Sequence, residues 1–476
     1  MSLETKKKKF PKWTIPLICV GGVAVVSLSV IGIYYLSTKS FAENYDPEIS
    51  DKIEIETPDD GIYTITAKDR GLYDKDGNRV MLKGVNYGNW LIQEGWMTVN
   101  SICIEYNEDG SYKKINNDGI IESYYEVCQN ELEKALYINP NLTDSQVESL
   151  WDAYYDAYCQ EQDFINIKEL GLNMIRLPVW YRTFMEGPDD NLVMKDDAFE
   201  RVDWFLEMAK KHDLYVILDM HGVPGGQNGY EHSGTFDCKF WDTPKYVEQT
   251  CSLWKEIARH YIEDRPDLAY TLASYDIVNE PVNYSIGNAN TSKEEWAVFD
   301  KIYDAIREVD TKHVITIEGV WFMDNLPDPK KYGWENVMYE YHLYNWNLPT
   351  VNNDAFYTLM LGSLKKADYN IPKYIGEFTF FDDQNEWVKY LNMYDSMGFN
   401  WSFWSYKTIS VGYWDTSWGL YVQKMNLFNE QKKLDVRTAT YDEIYNVWSK
   451  ESTAEKYTST GILMKSIKAY FAQLED

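Results

Sequence analysis

Residues Tyr275–Tyr284 read YDIVNEPVNY, an apolar and aromatic run that stops at Asn279, Glu280 and Pro281. A carboxylate at the tip of a buried strand needs a reason. Comparable runs recur along the chain, and most end in chemically capable groups. Asn86 and then Glu94 follow the first, and Arg176 lies within the second. His221 ends the third, Glu318 ends the fifth, and His342 and Tyr344 close the sixth. Glu377 belongs to the seventh and Trp404 to the eighth. There is no Ser/His/Asp order suited to acyl transfer and no HExxH. Carboxylates together with amide, imidazole, guanidinium and indole suit cleavage of a glycosidic bond. One carboxylic acid protonates the leaving oxygen, and a second carboxylate attacks or stabilises the anomeric carbon.

Glu280, Glu318, Glu340 and Glu377 all lie in or beside strands. The residues alone favour Glu280 for one role, because Asn279 beside it can hydrogen-bond a sugar hydroxyl. The other carboxylate needs a nearby cation to stay ionised. Arg176 is a candidate, but the sequence leaves open which Glu it meets. Glu340, two residues before His342, shares that face and lies deeper. Glu318 reads equally well as a pocket-wall or a structural carboxylate. His212, His260 and His313 end helices or start a strand and read as surface or capping groups. Tyr230, Trp321 and Trp346 are candidates for a clamp on a second sugar.

The elements that must hold these groups form a repeating pattern. The runs span 80–86, 173–179, 215–221, 274–280, 313–319, 336–342, 372–378 and 400–406, eight in all. Helical patterns fill most gaps, among them WDAYYDAYCQEQDFINIKEL, AFERVDWFLEMAKKH and VEQTCSLWKEIARHYI; the gap after the fifth run has little helical period. Strands alternating with helices in this way predict an α/β fold, a (β/α)8 TIM barrel, whose catalytic rim lies at the C-terminal strand ends. An insertion at about 97–150 belongs to that rim. Ahead of the barrel, IYTITAK and GLYDKDGNRVML read as strands with a turn at Asp76–Asn78.

The remainder sets bounds. The chain has 476 residues, 45% hydrophobic and 25% charged, a globular composition, with 39 Tyr and 18 Trp available for cores or for stacking on a ligand. We expect a basic cytoplasmic segment at 1–13, a transmembrane anchor at 14–38, a linker at 39–60 and one catalytic domain at 61–476. The uncharged run behind a lysine cluster is long enough to span a bilayer, and the lysine bias puts the N-terminus in the cytoplasm and the catalytic domain outside the cell. The alternative is a signal peptide cleaved near Ala42. Residues 1–40 carry six lysines and one glutamate, +5, which leaves −34 of the net −29 for the exported part. A body that acidic excludes nucleic acid and anionic polymers as partners and is compatible with a neutral substrate. Beyond Cys19, the cysteines Cys103, Cys128, Cys159, Cys238 and Cys251 are odd in number, and no Cys/His cluster suggests a metal.

The motifs DMHGVPGGQNGYEHSG, IVNEP, HLY, IGEF and NWSFWSYK fall in an order and spacing similar to glycoside hydrolase family 5. KGVNYGNWLIQEGWM and CQEQDFINIKELGLNMIRLPVWY look like its exo-β-1,3-glucanase branch. The resemblance covers roughly 61–420. It implies a retaining glycosidase without cofactor or metal, acting from the chain end on β-1,3-glucan or short β-glucosides. An endo-acting cellulase-like enzyme, a β-glucosidase on a lipid or plant aglycone, and a catalytically silent carbohydrate-binding surface protein are the alternatives. By the same resemblance Glu280 is the acid/base and Glu377 the nucleophile. Arg176, His221, Asn279, His342, Tyr344 and Trp404 surround the sugar at the scissile bond, and Glu94 holds the terminal glucose. Mutual repulsion, with Arg176 near Glu377, is expected to raise the Glu280 pKa and lower that of Glu377. The segment YEYHLYNW lacks the His run of the fungal enzymes, Tyr406 stands where they have Trp, and the tail beyond about Lys424 reads as added helices.

Overall fold

The computed structural model describes residues 44–95, 97–98, 128–283, 293–348, 350–409, 418–423 and 436–474, with residues 39, 41, 103–104 and 124–125 besides. Eight parallel strands close into a barrel: β1 (Lys83–Asn86), β2 (Met174–Trp180), β3 (Tyr215–Gly222), β4 (Leu272–Asp276), β5 (Val314–Glu318), β6 (Val337–Tyr344), β7 (Lys373–Thr379) and β8 (Asn400–Phe403). Each pairs with its sequence neighbour, and β8 pairs with β1 to complete the circle. All eight expected runs are barrel strands.

The expected helices follow them, joined in the 97–150 insertion by Gln129–Tyr137 and the first half of Asp144–Tyr158. α1 (Gln129–Tyr137), α2 (Asp144–Tyr158) and α3 (Glu161–Glu169) precede β2, α4 (Glu200–Lys211) precedes β3 and α5 (Pro244–Arg259) precedes β4. α6 (Lys293–Arg307), α7 (Asn353–Leu364) and α8 (Gln384–Met397) precede β5, β7 and β8. The gap after β5 holds only the short turn Pro329–Lys331, as its missing period implied. The 151–170 stretch, read from sequence as one helical pattern, breaks at Cys159, whose backbone is extended. The break is set by Asp163, which accepts from Gln160 N at the start of α3 while Tyr87 Oη and Lys407 Nζ bind the same carboxylate 2.7 and 2.8 Å away. A buried ion pair with hydrogen bonds to every oxygen outweighs continued helix here. The added tail helices are α9 (Tyr441–Lys450), started by a Thr440–Glu443 capping box, and α10 (Ile462–Ala472). They pack on α2 and α8; Trp448 meets Trp151 at 4.8 Å between ring centroids.

Ahead of the barrel, Thr66–Lys68, Gly71–Tyr73 and Arg79–Val80 form a three-stranded antiparallel sheet. Ile65, Leu72 and Leu82 bury against Met174, Ile217, Val314, Met338 and Tyr374 at the starts of the barrel strands, closing the N-terminal mouth with an apolar plug. Above the plug the inward positions turn polar. Asn86 donates to Gly376 O at 2.8 Å and Phe403 O at 3.1 Å, tying β1, β7 and β8 together below the site.

His313 departs from its reading as a surface or capping residue. It is fully buried and binds Asp310, Tyr275 Oη at 3.2 Å and Ala269 O at 2.9 Å. Cys128, Cys159 and Cys251 carry free thiols. Cys19, the expected membrane span at 14–38 and residues 99–102, 105–123 and 126–127 of the 97–150 insertion lie outside the described residues. Among the described residues no helix is long and apolar enough to cross a membrane.

Candidate active site

Arg176 organises the barrel centre. Its guanidinium is fully buried and reaches Asp219 of β3 at 3.0 Å, Asp276 of β4 at 2.7 Å, Glu340 of β6 at 3.3 Å and Glu377 of β7 at 3.0 Å. It also donates to Asn86 Oδ1 and Asn279 Oδ1 at 3.1 and 2.8 Å. One cation cannot compensate four buried carboxylates, so some of them hold protons. Burial pushes the carboxyls of Asp219 and Glu340 well above the usual range, against the pull of Arg176. Each has one oxygen with no hydrogen-bond partner, as a protonated acid permits.

Glu377 faces inward because of an irregularity. The pairing of β6 with β7 shifts between Tyr341 and His342, so that Glu377 lies opposite His342. Tyr374 and Glu377 both face the barrel axis, although strict alternation would separate them. Gly376 is required there, since a Cβ would fall on Glu340 Oε1. Glu377 Oε1 binds Arg176, and Oε2 accepts from Tyr344 Oη at 2.8 Å. Burial and the Glu377 charge push the Tyr344 phenol well up, so it remains a donor.

Glu280 lies beyond β4 rather than ending it: the strand stops at Asp276. The chain then turns, and Glu280 takes a left-handed φ of +40°, a strained conformation for a residue with a side chain. Glu318 Oε2 accepts its N–H, which gives the Glu318 carboxylate a positioning role. His342 Nδ1 stands 2.9 Å from Glu280 Oε1, and His232 Nε2 stands 3.0 Å from Oε2. One oxygen of Glu280, one of Glu377 and a His342 nitrogen all lie within 4.8 Å of one another.

The expectation of a raised Glu280 pKa is not met. Burial acts in that direction, but His232 and His342 outweigh it and hold the carboxyl well below the usual range. Those rings take the charge instead. Burial opposes it, yet the surrounding carboxylates raise His232 to about 10 and His342 to about 9. The sequence reading overlooked His232, which sits within the quoted GYEHSG; a histidine opposite the strand-four glutamate was the available signal. Among the described residues, Glu280, His342 and Glu377 are the one group of such atoms close enough to share a metal ion. His342 held protonated and Arg176 on Glu377 already supply the positive charge a cation would bring.

The other expected residues gather round this pair. His221 Nδ1 binds Asp219 at 2.7 Å, its Nε2 faces Asn279 Nδ2 at 3.5 Å, and burial and Arg176 keep the ring neutral. Trp404 stacks on His221 at 5.6 Å and 17°. The Glu94 carboxylate is near enough to act on the charges of His232 and Tyr344. Trp346, 46% exposed, stacks on Tyr344 and on Trp418, a rim aromatic that the strand pattern did not reveal because it follows β8. Tyr230 stacks instead on His232, at 5.5 Å.

An (β/α)8 barrel with two carboxylates converging at its C-terminal mouth is the frame of many glycoside hydrolases. The family description Cellulase (glycosyl hydrolase family 5) matches residues 135–410, more than half of the chain, and the protein belongs to that family. The Beta-xylosidase of Phanerodontia chrysosporium is 30% identical over 279 residues, 58% of this chain and 50% of the relative. Glucan 1,3-beta-glucosidase I/II of Saccharomyces cerevisiae is 30% identical over 213 residues, 44% of this chain and 43% of the relative. The chain thus spans about half the length of the curated relatives it matches. Among solved structures, rutinosidase from Aspergillus niger superposes with a TM-score of 0.54 at 14% identity, covering 78% of this chain and 98% of that one. An endogalactoceramidase gives 0.52 at 16%, covering 80% and 84%. These two share the fold.

Proposed function

We propose that this protein is a retaining β-glycosidase that hydrolyses β-glucosidic bonds, exo-acting on β-1,3-glucan or short β-glucosides, with Glu377 as nucleophile and Glu280 as acid/base. The observation that carries this reading is the approach of the two carboxyls within 4.8 Å. Retaining enzymes need about 5 Å, because no water has to fit between nucleophile and anomeric carbon; inverting ones need more. Arg176 and Tyr344 orient both oxygens of Glu377. It attacks the anomeric carbon while Glu280 protonates the departing oxygen; Glu280 then takes a proton from the water that releases the sugar. On this reading Asn279 meets the sugar 2-hydroxyl, Trp404 floors the site, Glu94 holds the terminal sugar, and Tyr230 and Trp346 line the aglycone side.

Glu280→Ala is expected to spare aryl glycosides with good leaving groups in the first step and to slow alkyl or glucosyl ones by about 10²–10⁴-fold, the usual worth of a general acid. Equal losses across leaving groups would remove the assignment. Laminarin, cellulose oligomers, glucosylated lipids and aryl β-glucosides and β-xylosides, assayed side by side with product analysis, test the substrate. Release of the α-anomer first would overturn retention.

The uncharged run at 14–38 behind its lysines supports an uncleaved anchor with the catalytic domain outside the cell. The expected mature protein keeps its N-terminus; a mass-spectrometric start near Glu43 would show a cleaved signal peptide instead.

A further inference from the structure

His232 lies in the single helical turn Glu231–Ser233, after β3. It binds one oxygen of Glu280, while His342 of β6 binds the other. The ring is fixed by stacking on Tyr230 and by its edge against His221, at 5.8 Å and 68°. Asn228 Nδ2 stands 2.9 Å from the same Nε2 and 3.3 Å from Glu280 O, and Asn228 Oδ1 accepts from Tyr230 N. Double displacement as set out above has no use for this ring.

We propose that His232 is a positioning residue that shares a single proton with Glu280, storing it between turnovers and returning it to the carboxyl for the departing oxygen; this rests on the reading of Glu280 as the acid/base.

The surroundings of Nε2 tell the two states apart. With the proton on Nε2, the ring donates to Glu280 Oε2 while Asn228 Nδ2 keeps Glu280 O as its acceptor and faces the Nε2–H as a second donor. With the proton on the carboxyl, Nε2 becomes an acceptor for Asn228 Nδ2, a contact that favours returning the proton to Glu280. In the first half-reaction the proton leaves Nε2 for the carboxyl, and the neutral ring keeps its proton on Nδ1. The carboxyl passes it to the glycosidic oxygen as that C–O bond breaks. In the second, Glu280 takes a proton from the attacking water as oxygen bonds to the anomeric carbon, and that proton restores Nε2–H. Atoms and charge balance without a co-reactant.

The groups facing the ring favour storage there in the free enzyme. Glu280 beyond β4, Glu231 on its own turn and Glu94 beyond β1 are anionic, His221 at the end of β3 is neutral, and His342 lies across Glu280. The ring is raised to about 10 and the carboxyl lies well below its usual range. The pair therefore keeps its one proton through neutral pH, although the carboxyl alone would lose it.

The test uses His232→Asn and His232→Gln in the full chain, with kcat/KM measured against pH on aryl β-glucosides of graded leaving-group ability. Glu280→Ala is run beside them. Without the store, Glu280 must hold its own proton. The alkaline limb for phenyl β-glucoside should move to lower pH by about one unit or more, and kcat/KM near pH 7 should fall about 10-fold or more, against less than about 3-fold for 2,4-dinitrophenyl β-glucoside. The same loss on every leaving group with an unmoved alkaline limb would assign His232 a structural role only and overturn the proposal. A Glu280→Ala variant blind to leaving group would instead overturn the acid/base reading on which it stands.

Discussion

Alanine at Glu377 is expected to lower kcat on every β-glycoside by on the order of 10⁵-fold, the scale seen when an enzyme loses its nucleophile. The geometry makes the loss independent of substrate. Glu377 is the carboxylate held on one oxygen by Arg176 and on the other by Tyr344, with His342 Nδ1 at 3.6 Å. No neighbour can stand in for it: Glu340 is lower in the barrel and binds the opposite side of His342. Truncation leaves a small space walled by a guanidinium, a phenol donor and an imidazolium, which suits a small anion. Added azide should therefore restore turnover in part. It attacks from the vacated side without a second displacement, so the product is the α-glycosyl azide. Residual activity within about 10-fold of the parent, or a β-configured azide, would remove Glu377 from the nucleophile's role.

Arg176→Met should cost about 3–5 kcal/mol of stability, the usual penalty for removing one partner of a buried ion pair. Methionine fills part of the volume but takes from Asp219, Asp276, Glu340 and Glu377 the guanidinium they share, leaving only His342 beside Glu340 and Glu377. The sign of the pH dependence follows from the carboxyls of Asp219 and Glu340, already raised in the fold. A carboxyl whose folded pKa lies above its unfolded value contributes stability at low pH and loses it as pH rises through the folded pKa. Removing Arg176 raises these groups further. The deficit in the melting midpoint should thus be larger at pH 8 than at pH 5, and kcat should fall as well because Glu377 loses its partner. Equal deficits at both pH values would mean that lost packing, not charge, sets the cost.

The sequence by itself determined the barrel. Short apolar runs separated by amphipathic stretches leave few ways to bury both faces of each strand, and eight of them in series close a circle. It also placed Arg176, His221, His342 and Glu377 on strands, since strand ends are local features; Glu280, read as the end of the fourth strand, lies four residues beyond it. It marked the tail as helical and the gap after β5 as not. Only the tertiary structure decided which groups meet. Arg176 could have served any of several carboxylates; closure of the barrel puts it against Glu377, and against Asp219 and Asp276, which the strand-end pattern did not single out. The shift between β6 and β7 turned Glu377 inward, and a one-residue irregularity has no periodic signature. The break at Cys159 came from Asp163, whose partners Tyr87 and Lys407 are remote in sequence. His313, beside a strand start, was buried by Asp310 and Ala269. The protonation of the site ran against the expectation from the two glutamates alone. It depends on His232, a loop residue that reaches Glu280 from another turn of the barrel, and through-space electrostatics of that kind is set by distances the chain order does not contain.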